Sequence, residues 1–106
     1  MVSVKQPRAR RFAFVADVDL THLDTSEHIK GKTTDLSVFG CHVSTQYPFP
    51  EGTRIRIRIT RNGATFATLA TVAHAKFGLG MGVLFTRTDP DAQAILDGWL
   101  AALRDN

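Results

Sequence analysis

At 106 residues, with 43% of them hydrophobic and 22% charged, the chain can build one small core but not two, and wholesale disorder is excluded. No apolar run is long enough to cross a bilayer and none follows the basic start, so neither membrane insertion nor a signal peptide is expected. The single cysteine rules out an internal disulfide and fits a cytoplasmic protein; the net charge of +3 is mild but clustered, at Lys5, Arg8, Arg10 and Arg11 and again at Arg54, Arg56, Arg58 and Arg61. Two local clusters suit a compact anionic partner better than a long nucleic acid.

Residues 1–11 read as a flexible basic arm and residues 12–106 as one domain. The first element is a half-buried strand in which Phe12, Phe14, Ala16, Val18 and Leu20 recur with period two and share one face. Polar "THLDTSEH" (21–28) is turn-rich and leads into an extended segment, "IKGKTTDL". Phe39, Cys41 and Val43 then alternate with Gly40, His42 and Ser44, and "YPFPEG" (47–52) forms a loop punctuated by proline and glycine.

The clearest strand is "TRIRIRIT" (53–60), with Ile55, Ile57 and Ile59 on one face and Arg54, Arg56 and Arg58 on the other. Asn62-Gly63 supplies the positive φ angles of a two-residue type I′ turn, joining it as a hairpin to "ATFATLATVAHA" (64–75). In "KFGLGMG" three glycines alternate with Leu79 and Met81, so one side of that strand admits another backbone or a ligand at close range.

A C-terminal helix is expected at about 90–104: Asp89 is placed to cap it, Pro90 takes its first position, and Asp91 suits the dipole there. Ile95, Leu96, Trp99, Leu100 and Leu103 form its apolar stripe. The result is an all-β chain of about six strands with a terminal helix; hairpin connections without βαβ units point to an antiparallel barrel or sandwich.

Catalysis finds little support, and the chain is not expected to be an enzyme. The four histidines, His22, His28, His42 and His74, lack metal-ligand spacing, so neither a metal nor a cofactor is expected. Cys41 and His42 leave their strand on opposite faces, and Cys41 reads as a buried structural thiol. His74, among small residues, reads as a packing or edge residue that can border a pocket. Arginine pairs remain, together with the Asp-x-Ser-x-x-Gly turn at Asp35, Ser37 and Gly40. Guanidiniums clamp phosphates or reach O6 and N7 of guanine, and a carboxylate accepts from guanine N1–H and N2–H. A serine hydroxyl beside a glycine-opened backbone suits a phosphate, although the same residue types also shape unliganded turns.

"RARRF" before the first strand, "DLSVFG" at 35–40 and "GLGMGVLF" at 78–85 together resemble the PilZ domain family over nearly the whole chain. The resemblance implies a six-stranded antiparallel β-barrel closed by a C-terminal α-helix, and a cytoplasmic receptor for cyclic di-GMP. It also implies a ligand site built from Arg8, Arg10 and Arg11 of the arm and from Asp35, Ser37 and Gly40 of the turn. The family's first motif is Arg-x-x-x-Arg. With Arg10 as its first arginine, Phe14 stands where the second belongs, and Phe14 also fits the apolar face of its strand. Without that arginine the site forgoes a charged interaction of about 1.5–3 kcal/mol. Arg8 or Arg11 substitutes for it in one reading. In the alternative reading the domain does not bind the nucleotide and serves as a protein–protein interaction module.

Either way a response passes through a protein partner in trans or through self-association as a homo-oligomer. DNA or RNA binding is not expected, because no aromatics interleave with the basic residues. The arginine row on "TRIRIRIT" needs answering acids from a neighbouring strand or a partner, unless it simply stays solvated and discourages edge aggregation.

Overall fold

The computed structural model describes residues 9–105. It contains β1 (Phe12–Ala13), β2 (Asp17–His22), β3 (His28–Leu36), β4 (Gly40–Ser44), β5 (Arg54–Arg61), β6 (Ala64–Lys76), β7 (Gly80–Arg87) and α1 (Pro90–Arg104). All pairings are antiparallel, and the sequence β3–β2–β5–β6–β7–β4 returns to β3, closing a barrel of six strands. β1 adds two residues beside the end of β3.

β1 and β2 are the single strand expected from Phe12, broken in the middle. The inward period holds, with Phe14, Ala16, Val18 and Leu20 all buried. The ladder is interrupted because the buried hydroxyl of Thr33 inserts into it. Thr33 Oγ1 donates to the Phe14 carbonyl at 2.7 Å and accepts from the Ala16 amide at 2.9 Å, taking the place of a backbone partner. A buried amide without an acceptor is costly, so this replacement lets the strand bend without an unpaired group.

Ile55, Ile57 and Ile59 are fully buried while Arg54, Arg56 and Arg58 are exposed, as the alternation requires. Asn62 (φ 51°) and Gly63 (φ 82°) form the expected hairpin turn to β6. Asp89 caps α1 by accepting from the Ala92 amide at 2.8 Å, with Pro90 at the first turn. The helix buries Ala92, Leu96 and Leu100, and its half-buried Trp99 packs on Phe14 (centroids 5.2 Å apart) and Phe66 (6.3 Å). α1 thereby caps the apolar barrel interior. No described helix is long and apolar enough to cross a membrane.

One assignment is corrected. Phe39 does not share the inner face of Cys41 and Val43; it precedes β4 and is exposed, because the turn at 37–40 delays the strand until Gly40. The Phe39 carbonyl is used instead, accepting from the Phe85 amide at 2.8 Å.

Candidate functional site

Regular alternation along β3 would turn Asp35 inward after Thr33. A bulge between Thr33 and Asp35 shifts the register by one residue, so that Leu36 enters the core and Asp35 faces outward. There the carboxylate is gripped by Arg11, whose Nη2 donates to Oδ1 at 3.1 Å and whose Nε donates to Oδ2 at 3.3 Å. Oδ1 also accepts from the His42 amide at 2.9 Å, which ties the aspartate to β4.

Ser37 and Gly40 have a different task. Ser37 is buried, and its hydroxyl accepts from the Phe39 and Gly40 amides, each at 3.2 Å, while the Gly40 carbonyl accepts from the Ser37 amide at 2.8 Å. The hydroxyl is therefore turned into the corner. At Gly40 a Cβ would stand 2.0 Å from the Val83 carbonyl oxygen, so only glycine permits β4 to lie this close to β7. Of the three motif residues, Asp35 alone presents its side chain outward.

Beyond Asp35, His42 on β4 and His74 on β6 both pair with Gly82 on β7. A Cβ on Gly82 would stand 2.1 Å from His74 Cε1, so the missing side chain is what allows the imidazole to lie across β7. The two rings sit edge to face, 6.3 Å apart, and His42 is oriented by a 3.1 Å contact between Nδ1 and Thr34 Oγ1. The glycine alternation at 78–82 signalled a close approach; that the approaching group is His74 follows only from the register of three strands.

These residues line a cleft of about 290 Å³ containing Arg11, Asp35, His42, His74 and Gly82. A second hollow of about 320 Å³ shares both histidines and adds Lys76. The combined surface offers a two-oxygen acceptor, two aromatic rings and two cationic groups. It offers no thiol nucleophile: Cys41 is fully buried, and that burial, with the nearby Asp35 charge, pushes its thiol up to about 12. Among the described residues no cluster of three histidine, cysteine or carboxylate side chains is arranged to hold a metal.

The remaining sequence candidates separate. Arg10 turns the other way, its guanidinium 4.8 Å from the Phe12 ring, beside a small hollow lined by Leu100 and Arg104 of α1. Arg8 lies outside the described residues, as does the arm before it. Phe14 is core, covered by Trp99 and by the Arg61 guanidinium 4.4 Å from its ring.

The chain belongs to the PilZ domain family, whose model matches residues 5–102. Three solved structures share its fold. The PilZ domain of CeSA from a cellulose-synthesizing bacterium is 23% identical with a TM-score of 0.73, covering 90% of this chain and 98% of that one. The Bacillus subtilis inhibitor of motility MotI/DgrA is 17% identical with a TM-score of 0.75, covering 97% of this chain and 54% of that one. The PilZ domain of Escherichia coli YcgR, in a structure with c-di-GMP, is 16% identical with a TM-score of 0.73, covering 95% and 93%. A comparison with proteins of curated function finds no match.

Proposed function

We propose that this PilZ domain is a non-enzymatic receptor that binds cyclic di-GMP in the cleft between Arg11, Asp35 and the two histidines. PilZ domains are a family of cyclic di-GMP receptors, and the reading for this member rests on one observation above all. The outward carboxylate of Asp35 is already held by a two-donor fork. Guanine presents the same pattern through N1–H and N2–H, so a guanine edge replaces the Arg11 guanidinium bond for bond. The released Arg11 then turns to phosphate or to guanine O6 and N7.

His42 and His74 supply ring faces and edges for a purine, and Lys76 supplies charge for a phosphate. These groups compensate for Phe14, which stands where the family's motif has its second arginine. In this reading Ser37 and Gly40 act by fixing the corner that sets Asp35, and Arg8 and Arg10 are auxiliary charges of the arm.

The test is an amide NMR titration of the full chain with cyclic di-GMP. Saturating shifts at His42, His74 and Gly82 support the reading; shifts confined to other surfaces, or none, refute it.

A further inference from the structure

A second surface, nearer the start of β6, is built from arginines that have no carboxylate partner among the described residues. On the outer face of β5, Arg56 stands opposite Thr21 of β2 and Leu69 of β6, and Arg58 stands opposite Asp19 and Ala67. The acids within reach are engaged elsewhere. Asp19 contacts His28 at 3.3 Å, Asp17 contacts Lys32 at 2.7 Å, and Asp24 contacts Arg54 at 3.8 Å. Among the described residues, Arg56 and Arg58 have no carboxylate partner.

A third arginine arrives from the other side. A register shift between Leu69 and Ala70 places Arg87 of β7 directly opposite Leu69, and Arg87 too has no carboxylate partner among the described residues. The row Arg56–Leu69–Arg87 crosses three strands and borders a groove of about 470 Å³, walled on its far side by Thr88, Asp89 and Pro90. The other polar side chains there are already satisfied. Thr68 and Thr88 share a hydrogen bond at 2.9 Å, and Asp89 caps α1. What the groove presents outward is an apolar strip, Ala67 and half-buried Leu69, between guanidiniums.

From this we infer that the groove docks an acidic segment of a partner protein, with carboxylates on Arg56 and Arg87 to either side of an apolar side chain seated on Leu69. Strand geometry separates the backbones of Arg56 and Arg87 by about 10 Å and puts Arg58 about 7 Å along from Arg56. Charges so distributed match several separated carboxylates of a chain rather than one phosphate. Because the barrel is closed, the contact is made through side chains and not by adding a strand.

The experiment uses the full chain and a fluorescein-labelled peptide centred on Glu-Ser-Leu-Ser-Glu, whose alternate positions put both carboxylates and the leucine on one face when extended, followed by anisotropy at moderate salt. Its lysine-for-glutamate counterpart serves as control, and tripolyphosphate and a short oligothymidylate as competitors. Saturable binding of the acidic peptide is expected. It should weaken at least about tenfold in Arg56→Gln/Arg87→Gln and further in Arg56→Glu/Arg87→Glu, with the melting temperature of the glutamine variant unchanged. Absence of binding, equal binding by the variants, equal binding of the lysine peptide, or displacement by either phosphate-bearing competitor at the peptide's own concentration overturns the inference.

Discussion

Arg11 holds Asp35 as a fork holds a carboxylate, with donor–acceptor distances of 3.1 and 3.3 Å across 24 residues of chain. The arginine thus occupies the acceptor pair that a guanine would need. Arg11 is half exposed, at 51%, and such a pair contributes only about 0.2–1 kcal/mol. A micromolar ligand gains roughly 8 kcal/mol on binding. The exchange is therefore inexpensive, and the resting contact keeps the aspartate oriented until ligand arrives.

Asp35→Asn separates charge from architecture. The amide oxygen still accepts from the His42 amide, which keeps β4 in place. Cyclic di-GMP affinity should fall at least about tenfold, while the melting temperature stays within a few degrees. Calorimetric titration and thermal melts check both; undiminished affinity would remove Asp35 from the binding site.

Ser37→Ala should act through stability first. Two amides that now donate to the buried hydroxyl, those of Phe39 and Gly40, are left without that acceptor. The expected cost is about 1–3 kcal/mol, or a melting temperature lower by several degrees. A variant as stable as the parent would show that water replaces the hydroxyl and that the turn does not depend on it.

Phe14→Arg restores the family's arginine spacing on paper, but Phe14 is only 3% exposed and lies between Trp99 and the Arg61 guanidinium. A second guanidinium there would be buried beside a like charge, at an expected cost above about 3 kcal/mol. The variant should unfold at lower denaturant, not gain ligand. Equal stability with tighter cyclic di-GMP binding would contradict this placement of Phe14.

The first strand and the turn show what the sequence could and could not reveal. The Ile/Arg alternation of β5, the Asn62-Gly63 hairpin, the Asp89 cap and the inward Phe14 depend on local periodicity and turn chemistry, and all were legible. The break at Thr33 and the bulge that turns Asp35 outward depend on a hydroxyl competing with backbone, which no period reports. For the same reason the arm alone did not distinguish Arg11, which reaches Asp35, from Arg10, which packs on Phe12. The meeting of His42, Gly82 and His74 is a property of strand register, which brings His42 beside two residues more than thirty positions further along the chain.

Cys41 gives the pH dependence a sign. Burial, then the Asp35 charge, raises its thiol from 9.0 to about 12, with Arg11 opposing. Below pH 9.0 folded and unfolded chains both keep the proton, so this contribution to stability is intact. As pH rises toward 12 the unfolded chain ionises first, and stability falls by up to about 1.4 kcal/mol per pH unit. Denaturant melts at about pH 8 and about pH 10 should show a smaller loss for Cys41→Ala than for the parent. Equal losses would mean that the folded protein tolerates the thiolate.

The most direct test of the central claim is isothermal titration of the full chain with cyclic di-GMP, with GTP as control and Asp35→Asn alongside. Saturable binding with a Kd of about 10 μM or tighter, absent for GTP and weakened in the variant, is expected. No heat at roughly 100 μM ligand, with the protein folded by its melting curve, would contradict it and leave a PilZ barrel without its nucleotide.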